Sequence, residues 1–162
     1  MEYPQKQEII KNTDKDFLKA AEELFTEAMQ NKNLGQFKEK VYRKVDKTEA
    51  AKIKEKTGLD IEGFAHKITN TDLRHIFLEH GNPKTETPRG QIAVTKDDIK
   101  LIPEITKSYD SVELLKKKSE NKPTLAYTKT IEDKYYYLES VGGKKKRDLR
   151  PKSMRITKNK QR

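Results

Sequence analysis

The feature that most constrains the fold is a change of hydrophobic period at Ser111: before it, apolar residues recur every three to four positions, and after it they alternate. Phe17, Leu18, Ala21, Leu24, Phe25 and Ala28 mark one face of a helix over Asp14 to Gln30, with Asp, Glu and Lys between them. Asp46-Lys47-Thr48-Glu49 has the form of a capping box and Gly58 supplies a left-handed stop, so the spacing predicts a second helix over Lys47 to Thr57. A third helix, of about ten residues, follows Thr69-Asn70-Thr71 and stops at Gly81-Asn82-Pro83. Thr95 to Asp98 forms another capping box and opens a helix carrying Ile99, Leu101, Ile102 and Ile105, which Pro103 must kink or shorten. The piece Phe37 to Val45, after Asn33-Leu34-Gly35, fits a strand or the start of a helix equally well.

Beyond Ser111 the pairs Val112/Leu114, Leu125/Tyr127 and Tyr135/Tyr137 alternate with polar neighbours. Breaks fall at Ser119 to Pro123, Glu132-Asp133 and Gly142-Gly143. A last strand, Ser153 to Lys158, turns Met154 and Ile156 inward and Arg155 and Thr157 outward. The predicted fold is therefore α+β, with N-terminal helices packed on a C-terminal antiparallel β-sheet. Only 32% of the residues are apolar and 38% are charged, so the core is expected to be modest and single.

Several classes drop out. There is no run of 18 apolar residues and no basic-then-apolar start, so a soluble chain without a signal peptide or membrane contact is expected. Cysteine is absent, which removes disulfide frameworks and thiolate metal sites. The net charge of +10 is concentrated: Lys144 to Arg162 holds ten Lys/Arg against one Asp, leaving +1 for the other 143 residues. Such a cationic run attracts polyanions by releasing their counterions, and reads otherwise as a solvated tail.

Two of the three histidines, His75 and His80, lie on the third predicted helix. At 100° per residue Leu73, Ile76, Phe77 and His80 share a face, whereas His75 and Glu79 lie together about 140° away. That divergence does not match the HExxH or HxxEH zinc patterns, which put both rings on one face. His75 and Glu79, four apart, can meet, and a carboxylate that fixes an imidazole tautomer suits proton transfer. The plain alternative is a solvated surface pair, and for His80 a buried ring bonded to a carbonyl.

From Gly58 to Lys158 the chain resembles the phage-associated barnase/EndoU/colicin/RelE-like nuclease domains, found fused to MuF-type phage head proteins and in mobile-element toxins. The resemblance rests on Thr57-Gly58-Leu59-Asp60 with Ala65-His66, Leu73-Arg74-His75-Ile76 with His80-Gly81, and Arg89-Gly90-Gln91 with Thr95 and Asp98-Ile99. It continues through Ile102-Pro103, Asp110 to Val112, Tyr127-Thr128-Lys129, Tyr137-Leu138-Glu139 and Met154-Arg155-Ile156-Thr157-Lys158. It implies a metal-independent endoribonuclease with no cofactor, acting in the cytoplasm or carried in a phage particle, with RNA (tRNA or mRNA) as partner and an immunity protein as a second. That chemistry needs a base for the ribose 2′-OH, an acid for the leaving oxygen and cations at the phosphate. Within the resemblance His75 is the first candidate for proton transfer and His80 the second. Arg74, Arg89, Lys129 and Arg155 are candidates for phosphate binding, Thr157 for a hydrogen bond to a phosphate oxygen, and Tyr127 for base stacking. The organisation expected is a helical segment over 1–57, a nuclease-like domain over 58–158 and a basic tail over 159–162. A non-catalytic nucleic-acid-binding or phage structural protein is the competing reading.

Overall fold

The computed structural model describes residues 5–30, 36–116 and 122–160. The helices form where the periodicity and caps place them. After a short α1 (Lys6–Lys11), α2 (Lys15–Gln30) buries Phe17, Ala21, Leu24 and Ala28. α3 (Lys47–Thr57) begins where the Asp46 carboxylate accepts the Glu49 N–H at 2.8 Å, and it ends at Gly58 with φ 79°. The other half of that capping box does not close, because the Glu49 carboxylate turns instead to Arg43 and His66. α4 (Asn70–His80) starts beneath Thr69, whose hydroxyl accepts the Asp72 N–H at 3.0 Å.

Past Gly81 the chain makes a single turn, α5 (Pro83–Glu86), a 3-10 turn over Thr87–Arg89, and a two-residue strand β3 (Gln91–Ile92). The Thr95–Asp98 capping box closes on α6 (Lys96–Ile99). Pro103 then lies in the first turn of α7 (Ile102–Lys107), where its missing N–H costs nothing, so the kink expected there is a division into two short helices.

The strands are β1 (Glu39–Lys44), β2 (Ala65–Thr69), β4 (Ser111–Leu115), β5 (Thr124–Ile131), β6 (Asp133–Val141) and β7 (Asp148–Thr157). β1 resolves the open reading of Phe37 to Val45 in favour of a strand. The sheet order is β1-β2-β7-β6-β5-β4, with β3 also on β7. β4 to β7 form the expected antiparallel meander, but β2 runs parallel to β7, so the seven-stranded sheet is mixed. The cause is the length of β7: it begins at Asp148 rather than Ser153, and Asp148 and Leu149 pair with Ala65 and His66. Much of the basic C-terminal run is therefore a strand between β6 and its β2 and β3 neighbours, not a solvated tail. The turn Asn33-Leu34-Gly35 and residues 119–121 of the expected Ser119 to Pro123 break lie outside the described residues.

The two faces of the sheet differ sharply. One buries Leu125, Tyr127, Tyr135, Tyr137, Met154 and Ile156 in the core that also takes Leu73, Ile76, Ile102 and Ile105. α2 joins this core, with Phe25 edge-on to Phe77 at 4.4 Å and Phe17 edge-on to Tyr42 at 5.2 Å. On the other face Ala126, Thr128, Tyr136, Leu138 and Ser153 are half-buried and Arg155 is exposed. Among the described residues no helix is long and apolar enough to cross a membrane.

Candidate active site

The half-exposed face of β4 to β7 holds a pocket of about 380 Å³. Register sets its floor in two rows: Glu113, Ala126, Leu138 and Ser153 lie side by side, as do Thr128, Tyr136 and Arg155. His80 and Gln91 complete the wall from the end of α4 and from β3. The His80 carbonyl accepts the Val94 N–H at 2.8 Å, which ties the chain after β3 to the end of α4.

His80 is held from behind. Its Nδ1 lies 3.1 Å from Oε2 of Glu86, whose side chain is fully buried. Glu86 reaches that position because Asn82 caps the single turn of α5, its carboxamide oxygen accepting the Lys84 N–H at 3.0 Å. A carboxylate bonded to one ring nitrogen orients the ring and leaves the other nitrogen for chemistry. His80 Nε2 has Glu79 Oε2 at 3.9 Å as its nearest acidic partner, too far for a hydrogen bond.

Arg155 lies over the Tyr136 ring, with its guanidinium carbon 4.7 Å from the centroid. Among the described residues no carboxylate pairs with it. A guanidinium supported on an aromatic face and unopposed by an acid keeps its fork of N–H donors available for a phosphate. In the neighbouring row, Glu113 supplies an exposed carboxylate from β4.

The structure sorts the residues singled out by sequence. His80 and Arg155 meet in the pocket. Arg89 touches the same support, with Nη1 3.5 Å from Glu86 Oε1, and Thr157 stands opposite Gln91 in the β3–β7 ladder. His75 is elsewhere on α4, 59% exposed, with Nε2 3.2 Å from Glu79 Oε1. Although the two histidines diverge around the helix, each faces one oxygen of Glu79. Arg74 is half-buried on α4 and does not line the pocket.

Two expectations fail. Tyr127 cannot stack on a base: its side chain is 1% exposed, and its hydroxyl donates to Glu139 Oε1 at 2.9 Å inside the core. Alternation puts Lys129 on that same side of β5, where it is 12% exposed and lies 3.8 Å from Asp110 Oδ1. The tyrosine offered to the pocket is Tyr136, whose two neighbours in sequence both point into the core.

Sequence reasoning also missed an ionic cluster across the sheet. His66, wholly buried, has Nδ1 at 2.7 Å from Glu139 Oε2 and Nε2 at 2.7 Å from Glu49 Oε2. A neutral imidazole donates through one nitrogen only, so a ring facing two carboxylates is an imidazolium. Burial opposes that charge, but the field of Glu139 and the hydrogen bonds to both carboxylates outweigh it, and the His66 pKa is raised. Burial would also raise Glu49; hydrogen bonds from His66 and from Arg43, which grips it at 2.9 Å with both Nε and Nη2, hold it at about 2. Arg43 and His66 thus balance Glu49 and Glu139. The signal in the sequence was His66 two residues before Ile68, on the inward side of a strand that had not been recognised.

A larger cleft, about 510 Å³, lies between α1, the α1–α2 turn, β1 and α7. Its arginine, Arg43, is already held by Glu49, and no histidine lines it. Size favours that cleft and chemistry favours the open face; with its clamped histidine and unopposed arginine, the open face is the candidate active site.

A family model described as phage-Barnase-EndoU-ColicinE5/D-RelE like nuclease3 matches residues 43–162. The chain belongs to this nuclease family. No curated protein and no solved structure matches it. The family match begins within β1 and so includes Arg43, α3 and every residue of the open-face pocket. α1 and α2 lie before it, although α2 is part of the same core.

Proposed function

We propose that this nuclease cleaves RNA as a metal-independent endoribonuclease, with the open face of β4 to β7 as its substrate platform. The observation that carries the reading is the clamped His80 sharing one pocket with an unopposed Arg155. In the proposed step the ribose 2′-OH loses its proton to the Glu113 carboxylate and its oxygen bonds to the adjacent phosphorus. The phosphorus–O5′ bond breaks as His80, oriented by Glu86, delivers a proton to O5′. Arg155 compensates the charge that gathers on the non-bridging oxygens. Tyr136, Leu138 and Leu115 offer a ring and apolar surface on which the upstream base rests. The products are a 2′,3′-cyclic phosphate and a 5′-hydroxyl. The family description names phage, and a toxin or effector role in a phage or mobile-element setting fits such an enzyme.

The order of the two histidines is the reverse of that expected from sequence: His80 performs proton transfer and His75 does not. Purified protein incubated with labelled RNA in EDTA tests this, using His80→Asn and His75→Ala. The asparagine amide still donates to Glu86, so the fold around it persists. The expected result is discrete cleavage ending in 2′,3′-cyclic phosphate, reduced at least about 100-fold in His80→Asn and retained in His75→Ala. RNA bound but never cut by the wild type would overturn the enzyme and leave a binding protein. The opposite pattern in the variants would move the site to His75.

A further inference from the structure

The carboxamide oxygen of Gln91 is buried and meets no hydrogen-bond donor among the described residues. Gln91 belongs to β3, where it pairs with Thr157 of β7. Direct opposition to Thr157 puts both side chains on one face of the ladder, and Arg155, two residues earlier on β7, is the diagonal neighbour on that face. Gln91 and His80 line the same pocket. A buried acceptor without a donor costs about 1–3 kcal/mol, and because Gln91 lines the pocket, rotation of its carboxamide toward the pocket would give that oxygen a donor on a bound ligand.

The proposed reaction fixes which part of the ligand reaches it. Across the sheet, Glu113 on β4 marks the attacking ribose, Arg155 on β7 the phosphate, and His80 the leaving O5′. Gln91, on the far side of β7 from Glu113, is therefore beside the nucleotide that carries the leaving oxygen. We infer that Gln91 reads the 2′-hydroxyl of that downstream nucleotide, making the enzyme select ribose on both sides of the bond it cuts. The inference rests on the endoribonuclease reading of this pocket. A ribose 2′-hydroxyl, donor and acceptor together, suits a carboxamide, and it is the group that distinguishes RNA from DNA. The chemistry itself requires ribose only upstream, so the downstream hydroxyl is dispensable for reaction and its recognition can be measured separately.

The test uses DNA strands whose last two nucleotides are ribose–ribose or ribose–deoxyribose, so that each has one cleavable bond and the two differ only in the terminal 2′-hydroxyl. The wild type is expected to prefer the ribose terminus by about two- to tenfold in kcat/KM, the worth of one neutral hydrogen bond. Gln91→Leu should bring the ratio of kcat/KM on the two strands to about one, and Gln91→Glu, which keeps an acceptor, should retain the preference. A preference that persists in Gln91→Leu, an equal loss on both strands, or no preference in the wild type would overturn the assignment. Failure of the wild type to cut after the ribonucleotide, or cutting that continues when the upstream sugar is also deoxyribose, would instead remove the endoribonuclease reading beneath it.

Discussion

Replacing His66 by leucine tests whether the buried charge cluster holds the sheet to the helices. Wild-type His66 has no exposure and bridges Glu49 and Glu139 at 2.7 Å each. Leucine leaves Glu49 with its bidentate Arg43, but Glu139, fully buried, keeps only the Tyr127 hydroxyl at 2.9 Å. Removing one partner of a buried ion pair costs about 3–5 kcal/mol. His75→Ala is the matched control: that ring is 59% exposed, and a solvated helix pair contributes about 0.3–0.5 kcal/mol. Urea unfolding at pH 6 measures both. The pH dependence gives a second readout. His66 has a raised folded pKa, so its stabilisation is complete below the ordinary imidazole value of about 6.5 and is lost as pH rises through the folded value. Glu49 has a depressed one, so its contribution is complete above the ordinary value of 4.5 and is lost as pH falls toward about 2. His66→Leu should remove the alkaline fall nearest neutrality. A loss of less than about 1 kcal/mol, or an unchanged alkaline limb, would refute a charged and structural His66.

Arg155→Lys keeps the charge but loses the planar fork, so RNA binding by fluorescence anisotropy should weaken about tenfold with an unchanged salt slope, whereas Arg155→Gln should also lower the slope by about 0.7. Gly81→Ala would place a Cβ 2.7 Å from the Phe77 carbonyl oxygen, and the resulting shift of the α4 terminus should cost about 1–3 kcal/mol by urea unfolding and displace His80, lowering cleavage. A chain starting at residue 43, where the family match begins, loses buried Phe17 and Leu24, worth about 3–6 kcal/mol together, and should give no cooperative thermal transition by circular dichroism.

The helices were readable because their signals are local. Asp46, Thr69 and Thr95 each cap the helix they precede, and Gly58 and Gly81 each follow a last helical residue. β2 was not readable for a definite reason: a strand shows itself by alternation of apolar residues, and Ala-His-Lys-Ile-Thr buries His66 and Thr69 as well as Ile68. A histidine whose charge is balanced inside the fold breaks the pattern that reveals a strand. The same limit hid β2's parallel pairing with β7, which depends on register between distant segments. In the site, helical projection correctly put His80 on the apolar side of α4, where it is 15% exposed, and His75 on the wet side. It could not supply Glu86, because the chain turns at Asn82 and the helical spacing no longer relates the two residues. Alternation showed that Tyr136 opposes Tyr135 and Tyr137, but only the β5–β7 registers show that Tyr136 faces the pocket while Tyr127 faces the core.

The two faces of the sheet carry ionic groups of the same kinds, and the difference between them is the strongest reason to place function on one. On the inner face two cations meet two carboxylates, both nitrogens of His66 are occupied, and Tyr127 takes the remaining oxygen of Glu139. Each charge there is answered within the chain, as a structural cluster must be if its burial is not to destabilise the fold. On the open face the answers among the described residues are incomplete: His80 is hydrogen-bonded at Nδ1 only, Arg155 rests on a ring instead of an acid, and the Gln91 oxygen has no donor. His80, Arg155 and Gln91 all line one pocket. A phosphodiester with a ribose on either side presents what they lack: an oxygen to protonate, an anion to bind and a hydroxyl to hold.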